Sequence, residues 1–431
     1  MANNDTFIQL LHREVKPALG CTEPIAVALA VAAAAEHFTK SCRPALIDVA
    51  VSPNILKNGM GVGIPGTGMV GLDIATALGV TCGHSKYGLE VLKDINAEAL
   101  AKAKELLGIV KVHVADTTEK LYVKAVIEGD DHSASAVISG SHDNIVEITE
   151  DGKVMFSAEK KQASDNQEDK KEPAKDISQT ITVKEIFEFA TTAPLEILSF
   201  IEDSITLNEA LADEGLAHDY GLKVGKTLLS KKYDGIMGDG QLLYCMSRTA
   251  AASDARMAGS TLPAMSNSGS GNQGITVTMP VISMAKQLGS SHEQLIRALT
   301  LSHLIAIHIK GYLGKLSALC GCVIASTGSS CGIVYLMGGG YDAVCAAIKN
   351  MTGNITGMVC DGAKVGCAMK VASGVASSVQ SAILALEGIQ ISSNEGIIEE
   401  DIEKTISNLG RIGSQGMTQT DAMILDIMVC K

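Results

Sequence analysis

The chain has no tryptophan, and aromatic residues of all kinds make up only 3% of its 431 positions. A core built without large rings must come from Ala, Val, Ile, Leu and Met, and 43 glycines point to backbones packed close together. Clustered basic charge is also missing: 35 Lys and Arg stand against 48 Asp and Glu, a formal charge of −13. Neutralising phosphates needs Lys and Arg in arrays, so this balance argues against a nucleic-acid partner. The opening MANNDTFIQLLHREVK lacks a basic segment followed by a sustained apolar run, so no secretory signal is read and a cytoplasmic location is expected. Two stretches carry no charge, Met257 to Ala285 and Leu316 to Tyr341, but Gly, Ser, Thr and Asn interrupt both. A spanning helix needs about 20 predominantly apolar residues, so these stretches are expected to be buried in protein, with no membrane partner.

At this length two or three compact units are expected. Phe7, Leu10, Leu11 and Val15 recur at helical spacing, and a second helix is predicted from Glu23 to Phe38, with Thr22 as cap and Pro24 in its first turn. From Ala45 onward, β-branched runs alternate and end in Gly or Asp turns, as in LYVKAVIEG and NIVEITEDGKVMF. Helical patterns at Met69–Leu78 and Gly88–Leu107 make this block α+β. Residues 159–180 hold almost no large apolar side chain and read as a charged linker or surface loop. The expected fold is therefore α+β: a mainly α-helical domain from 1–42 and 181–431, with a smaller mixed-sheet α+β domain inserted at 43–158.

Eleven cysteines without a secretory signal are a poor match to a disulfide framework, which turns attention to metal binding or catalysis. Cys42, Cys82, Cys245, Cys345 and Cys430 read as small hydrophobes. C-D-G-A-K-V-G-C, Cys360 to Cys367, follows the uncharged stretch bearing Cys320, Cys322 and Cys331. One continuous helix would separate positions seven apart by about 10.5 Å along its axis, so Gly362 and Gly366 imply a loop entering a helix. From spacing alone, buried structural cysteines and a metal or cluster site both remain open. Structural zinc favours paired C-x2-C spacing, which is absent, whereas soft thiolates from distant segments suit iron and sulfur.

Cys21, in G-C-T-E-P, stands at a predicted helix start, where free N–H groups and the dipole favour a thiolate. The segment from Ser266 to Gly274 collects Ser266, Asn267, Ser268, Ser270, Asn272 and Gln273 among glycines, a nest suited to a carboxylate or else a plain flexible loop. Gly61 to Gly66 fits G-x-G-x-x-G, but no acidic residue follows where a dinucleotide site needs one. A glycine-lined wall beside Asn58 is the alternative. Gly221 to Thr227 is one residue short of a phosphate loop, because Tyr220 takes the glycine position. His303 and His308 read as satisfied core histidines, while Lys310, Lys315 and Lys364 stand in nearly uncharged surroundings, where a buried lysine needs a partner.

Taken together, G-C-T-E-P at 20–24, N-G-M-G-V-G-I-P-G-T-G at 58–68, S-N-S-G-S-G-N-Q-G at 266–274, K-G-Y-L-G-K-L-S-A-L-C-G-C at 310–322 and C-D-G-A-K-V-G-C at 360–367 carry a resemblance. The sequence resembles the iron-sulfur L-cysteine desulfidases, relatives of the alpha subunit of bacterial iron-sulfur L-serine dehydratases, over nearly its whole length. The resemblance implies a [4Fe-4S] cluster on Cys320, Cys360 and Cys367, with Cys322 as a rival first ligand, and Cys21 as the base. It implies a small amino-acid substrate: L-cysteine, giving pyruvate, ammonia and hydrogen sulfide, or L-serine by the same site. Two other classes compete, a non-catalytic iron-sulfur sensor and a pyridoxal-phosphate lyase using a lysine such as Lys310. Oligomeric state leaves no mark in the sequence, and a homodimer is only an expectation.

Overall fold

The structure, a computed structural model, describes residues 4–38, 42–129, 131–158, 176–314 and 317–430. The linker expected at 159–180 thus lies mostly outside the described residues, as does Lys315. The chain opens with α1 (Asn4–Glu14), the short strand β1 (Pro17–Ala18) and α2 (Thr22–His37). Then come β2 (Leu46–Val51), α3 (Pro53–Gly59), α4 (Leu72–Thr81), α5 (Ala97–Leu106) and β3 (Val110–Val114). Four strands follow: β4 (Tyr122–Gly129), β5 (His132–Ser139), β6 (Ile145–Glu150) and β7 (Lys153–Ser157). Helices then dominate: α6 (Val183–Thr192), α7 (Glu202–Ala217), α8 (Val224–Leu228), α9 (Asp234–Met237) and α10 (Gln241–Met257). After β8 (Ala264–Met265) come α11 (Gly271–Leu288), α12 (His292–Leu313), α13 (Gly321–Leu336) and α14 (Tyr341–Ile355). The chain ends with α15 (Cys367–Leu386), α16 (Ile402–Arg411) and α17 (Thr418–Val429).

The architecture is α+β, helical for the most part, with one mixed six-stranded sheet in the order β3-β2-β4-β5-β6-β7. Only β2 and β3 run parallel; the other pairings are antiparallel. Alternation sets the buried face, with Ile47, Val49 and Val51 on β2 and Val123, Ala125 and Ile127 on β4 all turned inward. The helix against that face is α2, whose residues Pro24 to Ala34 are all buried. A helix apolar on every side must be enclosed, and the α2 sequence supplies Ala and Val where larger side chains would hold the sheet away. The segment expected to join the helical unit as 1–42 therefore divides: α1 packs into the large helical core and α2 into the core of the sheet.

The larger core is built around α10 to α15. One described helix, α15, is long and apolar enough to cross a membrane, but half of its apolar window is buried. Its buried residues, among them Ala368, Val371, Ala372, Val375, Val379 and Ala382, recur at three- and four-residue steps along one face.

Candidate functional site

The Gly61–Gly66 segment joins the two cores. Gly63 N–H donates to Met257 O at 3.0 Å, Gly66 N–H reaches Gly259 O at 3.3 Å, and Gly61 bridges Lys364. A Cβ on Gly63 would stand 2.4 Å from the Ala258 carbonyl carbon, so only glycine lets these backbones touch. This segment builds a wall between α10 and the 360–367 loop, not a nucleotide turn.

Cys21 sits at this junction as the N-cap of α2, packed with Val62 and Met257 and against Ala363, Val365 and Cys367. The thiol is only 5% exposed. Burial pushes its pKa up to about 11, opposed only in part by Arg256. The thiolate expected from the helix start is therefore not the resting form of this buried group, because desolvation outweighs the dipole.

Two further cysteines also stand at helix starts: Cys320 is the N-cap of α13 and Cys367 the first residue of α15. Cys360 lies beside Cys320 because the chains pair at Leu319–Val359, with Cys320 N–H to Met358 O at 3.0 Å and Cys360 N–H to Ala318 O at 2.7 Å. The neighbouring Cys320 thiol holds Cys360 below the usual thiol range, aided by Lys57, the Gly362 N–H and Lys370. Cys320 is raised in turn by Cys360 and by burial. Cys367 approaches Gly362 O at 3.8 Å, and its pKa is raised by burial and by Cys360. Cys322 points elsewhere: its sulfur donates to Lys370 O at 3.2 Å and lies against Ser326 and Gly374.

No three of the described His, Cys, Asp and Glu side chains close around a single metal ion. The chemistry of the donor set instead fits a larger anionic cluster, with soft sulfurs at helix N-termini and cations close by. Lys57, 3% exposed, is paired with Asp421 of α17, and Lys364 and Lys370 both pair with Asp361. Burial pushes the Lys310 ammonium down to about 8, against the pull of Cys360 and Cys320.

The 266–274 segment reaches the same junction through the β1–β8 pairing, which sets it beside the chain leading to Cys21. Several of its polar groups are spent on holding the turn. Ser266 Oγ donates to Lys16 O at 2.6 Å, and Asn267 Nδ2 donates to His303 Nδ1 at 3.0 Å. Ser268, at φ +50°, donates to Asn267 Oδ1, and Ser270 caps α11 by accepting from Gln273 N–H. Asn272 Oδ1 accepts from Arg256 Nη1 at 3.3 Å. Gln273 is buried with its Nε2 unpartnered, its amide lying against Gly321, the neighbour of Cys320. Asn58 Nδ2 donates to Glu23 Oε1 at 3.2 Å, which places it beside the G-C-T-E-P turn.

Arg256 and Lys57 are missing from the sequence reading. A signal existed for Arg256, a guanidinium in the small-residue run TAAASDARMAG, where a buried helix needs a reason for charge. His303 and His308 are satisfied core histidines, as expected, the latter between Ser178 O and Glu403, both at 2.7 Å. All eleven cysteines are free thiols; of those read as small hydrophobes, Cys245 is fully buried, Cys42, Cys82 and Cys345 are partly buried and Cys430 is exposed. A groove of about 530 Å³ lined by Leu195, Glu196, Ser199, Glu202, His292 and Ile296 contains none of the site residues.

A family model described as serine dehydratase alpha chain matches residues 86–426. The chain is 51% identical over 427 residues to a UPF0597 protein of Oleidesulfovibrio alaskensis, covering 99% of this chain and 98% of that one. A UPF0597 protein of Bacteroides fragilis is 50% identical over 428 residues, and one of Shewanella pealeana 47% over 429, each match covering 99% of this chain and 98% of the relative. With the match running through the loop of Cys360 and Cys367 and the helix starts around it, the chain belongs to the serine dehydratase alpha chain family.

Proposed function

We propose that the protein is a lyase that eliminates the β-substituent of a small α-amino acid, with L-cysteine the preferred substrate and L-serine the second. The observation that carries this reading is the grouping of Cys21 with Cys367 and of Cys320 with Cys360 at one junction, three of the four at helix starts. Cys320, Cys360 and Cys367 would hold a [4Fe-4S] cluster that, when bound, supplies Lewis acidity toward the substrate through an iron without a protein ligand.

The chain's own residues supply the rest. Cys21 removes the Cα proton, the Cβ–S bond breaks, and hydrosulfide leaves with the bond's electron pair. The aminoacrylate then tautomerises to an imine that water converts to pyruvate and ammonium. A buried thiol needs a counter-ion to act as a base, and Arg256, held on the Gly20 carbonyl next to it, is the cation that favours its thiolate. Gln273, with its free amide, is the loop residue best suited to touch substrate, while Ser266, Asn267, Ser268 and Ser270 hold the turn in place. Asn272 steadies Arg256, and Asn58 steadies Glu23. The softness of sulfur would suit an iron-bearing cofactor and favours cysteine, whereas the family description speaks of serine.

The test is anaerobic incubation of iron-replete protein with each amino acid, assaying sulfide and pyruvate. Equal amounts of both products from L-cysteine are expected, and Cys21→Ser should keep its iron yet release neither. Pyruvate from L-serine alone would make the protein a serine dehydratase. No product from cluster-replete protein would leave the sensor reading standing.

A further inference from the structure

Two opposite charges flank Cys21. Arg256 is 6% exposed, donates through Nη2 to Gly20 O at 2.9 Å and through Nη1 to Asn272 Oδ1 and Met257 Sδ at 3.3 Å, and opposes the burial of the Cys21 thiol, yet its Nε has no partner among the described residues. No carboxylate among the described residues forms an ion pair with it, and a guanidinium removed from water without an anion is costly. Its Nε lies against Gly271, where a Cβ would come within 2.2 Å, so glycine there keeps the first turn of α11 open to it. Two residues on, Gln273 is 4% exposed and presents a second buried donor, Nε2, also without a partner. Two unsatisfied donors on adjoining elements, beside the first turn of α11, where Ser270 takes the Gln273 N–H, form a receptor for an anion.

Among the described residues, the half-buried Glu23 carboxylate accepts from Asn58 Nδ2 at 3.2 Å and Thr22 Oγ1 at 3.4 Å. A carboxylate offers about four lone-pair sites, so capacity remains. No cation among the described residues pairs with Glu23.

We propose that Arg256 and Glu23 together recognise the zwitterionic backbone of an α-amino acid, Arg256 binding the carboxylate and Glu23 the ammonium, which leaves the Cα–H to Cys21. This deepens the lyase reading and rests on Cys21 as the base. An α-amino acid carries both charges on one carbon, and both protein charges act on one sulfur, so the match selects for that backbone whatever the β-substituent.

Calorimetric titration of anaerobically prepared, iron-replete protein separates the two halves with three probes. L-Alanine has both groups and nothing to eliminate, 3-mercaptopropionate lacks the amine, and cysteamine lacks the carboxylate. Arg256→Gln is expected to weaken L-alanine and 3-mercaptopropionate by about tenfold or more while sparing cysteamine. Glu23→Gln is expected to weaken L-alanine and cysteamine while sparing 3-mercaptopropionate. Variants that weaken all three probes alike, or none, overturn the proposal. Should Arg256→Gln lose its iron or its fold, Arg256→Lys with full iron and the Glu23→Gln arm decide the matter on the same criterion. Cys21→Ser distinguishes the two readings: if it still turns over, Cys21 is not the base, whereas the probe pattern alone reports on the receptor.

Discussion

Cys320 and Cys360 are set side by side by the Leu319–Val359 bridge, while Cys322, one residue beyond Gly321, gives its sulfur to the Lys370 carbonyl. This difference in direction separates the two candidates for the first ligand. Cys320→Ala should lose most of its iron and acid-labile sulfide relative to the parent. Cys322→Ala should retain both, at a packing cost of about 1 kcal/mol for the lost sulfur. The opposite ranking in an iron assay would move the ligand to Cys322.

Gly362 gives the 360–367 loop its shape. Its φ is +89°, and a Cβ would stand 2.2 Å from Lys57 O. Gly362→Ala therefore meets both backbone strain and a clash with main chain, together about 2–4 kcal/mol. The expected outcome is a lower thermal midpoint together with reduced iron content, since Cys360 and Cys367 flank this residue. A variant with parental melting and iron would show that the loop takes another path.

Lys57 couples α3 to the last helix through Asp421, and it is also one of the cations that favour the Cys360 thiolate. Removing one partner of a buried pair strands the other, whereas replacing the buried member by an apolar side chain of similar volume removes the desolvation cost as well. Asp421→Asn should thus cost on the order of 2–3 kcal/mol, below the fully buried range because Asp421 keeps some solvent contact. Lys57→Met should cost less stability but load less iron. Denaturant titration and iron analysis of the two variants test that crossed order; parallel losses would count against it.

Local pattern carried far into this fold. The helix predicted from Glu23 runs Thr22–His37, the strand-rich block read from Ala45 onward opens with β2, and the D-G turn in NIVEITEDGKVMF joins β6 to β7. The pattern at 88–107 starts later than read, because Asn96 caps α5 and the chain before it forms a short 3-10 turn at Ser85–Glu90. Long-range placement was harder to read. Nothing in α2 says whether an all-apolar helix is enclosed by a sheet or by other helices, and it went to the sheet. Motifs rich in glycine and cysteine could be picked out singly, but of the cations that complete the site Arg256 is marked only by the small-residue run around it, and Lys57 looks like an ordinary helix residue until distant backbones fold over it. For Cys21 the helix start was visible while its depth of burial, which decides its protonation, was not.

His303 links the 266–270 turn to acid stability. The ring is fully buried, and burial pushes its pKa down to about 3. Asn267 Nδ2 donates to Nδ1, so the ring proton belongs on Nε2, facing Ser204 Oγ at 3.3 Å. A second proton on Nδ1 would oppose the Asn267 amide and release the turn. In the unfolded chain histidine titrates near 6.5, so below that pH the unfolded state binds a proton that the native state refuses. Stability from this residue is complete above 6.5 and falls with pH at about 1.4 kcal/mol per unit until the native ring itself protonates. His303→Gln lacks this dependence, and Asp254, which burial pushes up to about 6, is common to both proteins and cancels. The gap in unfolding free energy between parent and His303→Gln should therefore shrink by about 2 kcal/mol from pH 7.5 to pH 5.0. Equal pH slopes in urea titrations of the two proteins would mean that His303 is charged in the native state and that the Asn267 contact is not what holds the turn.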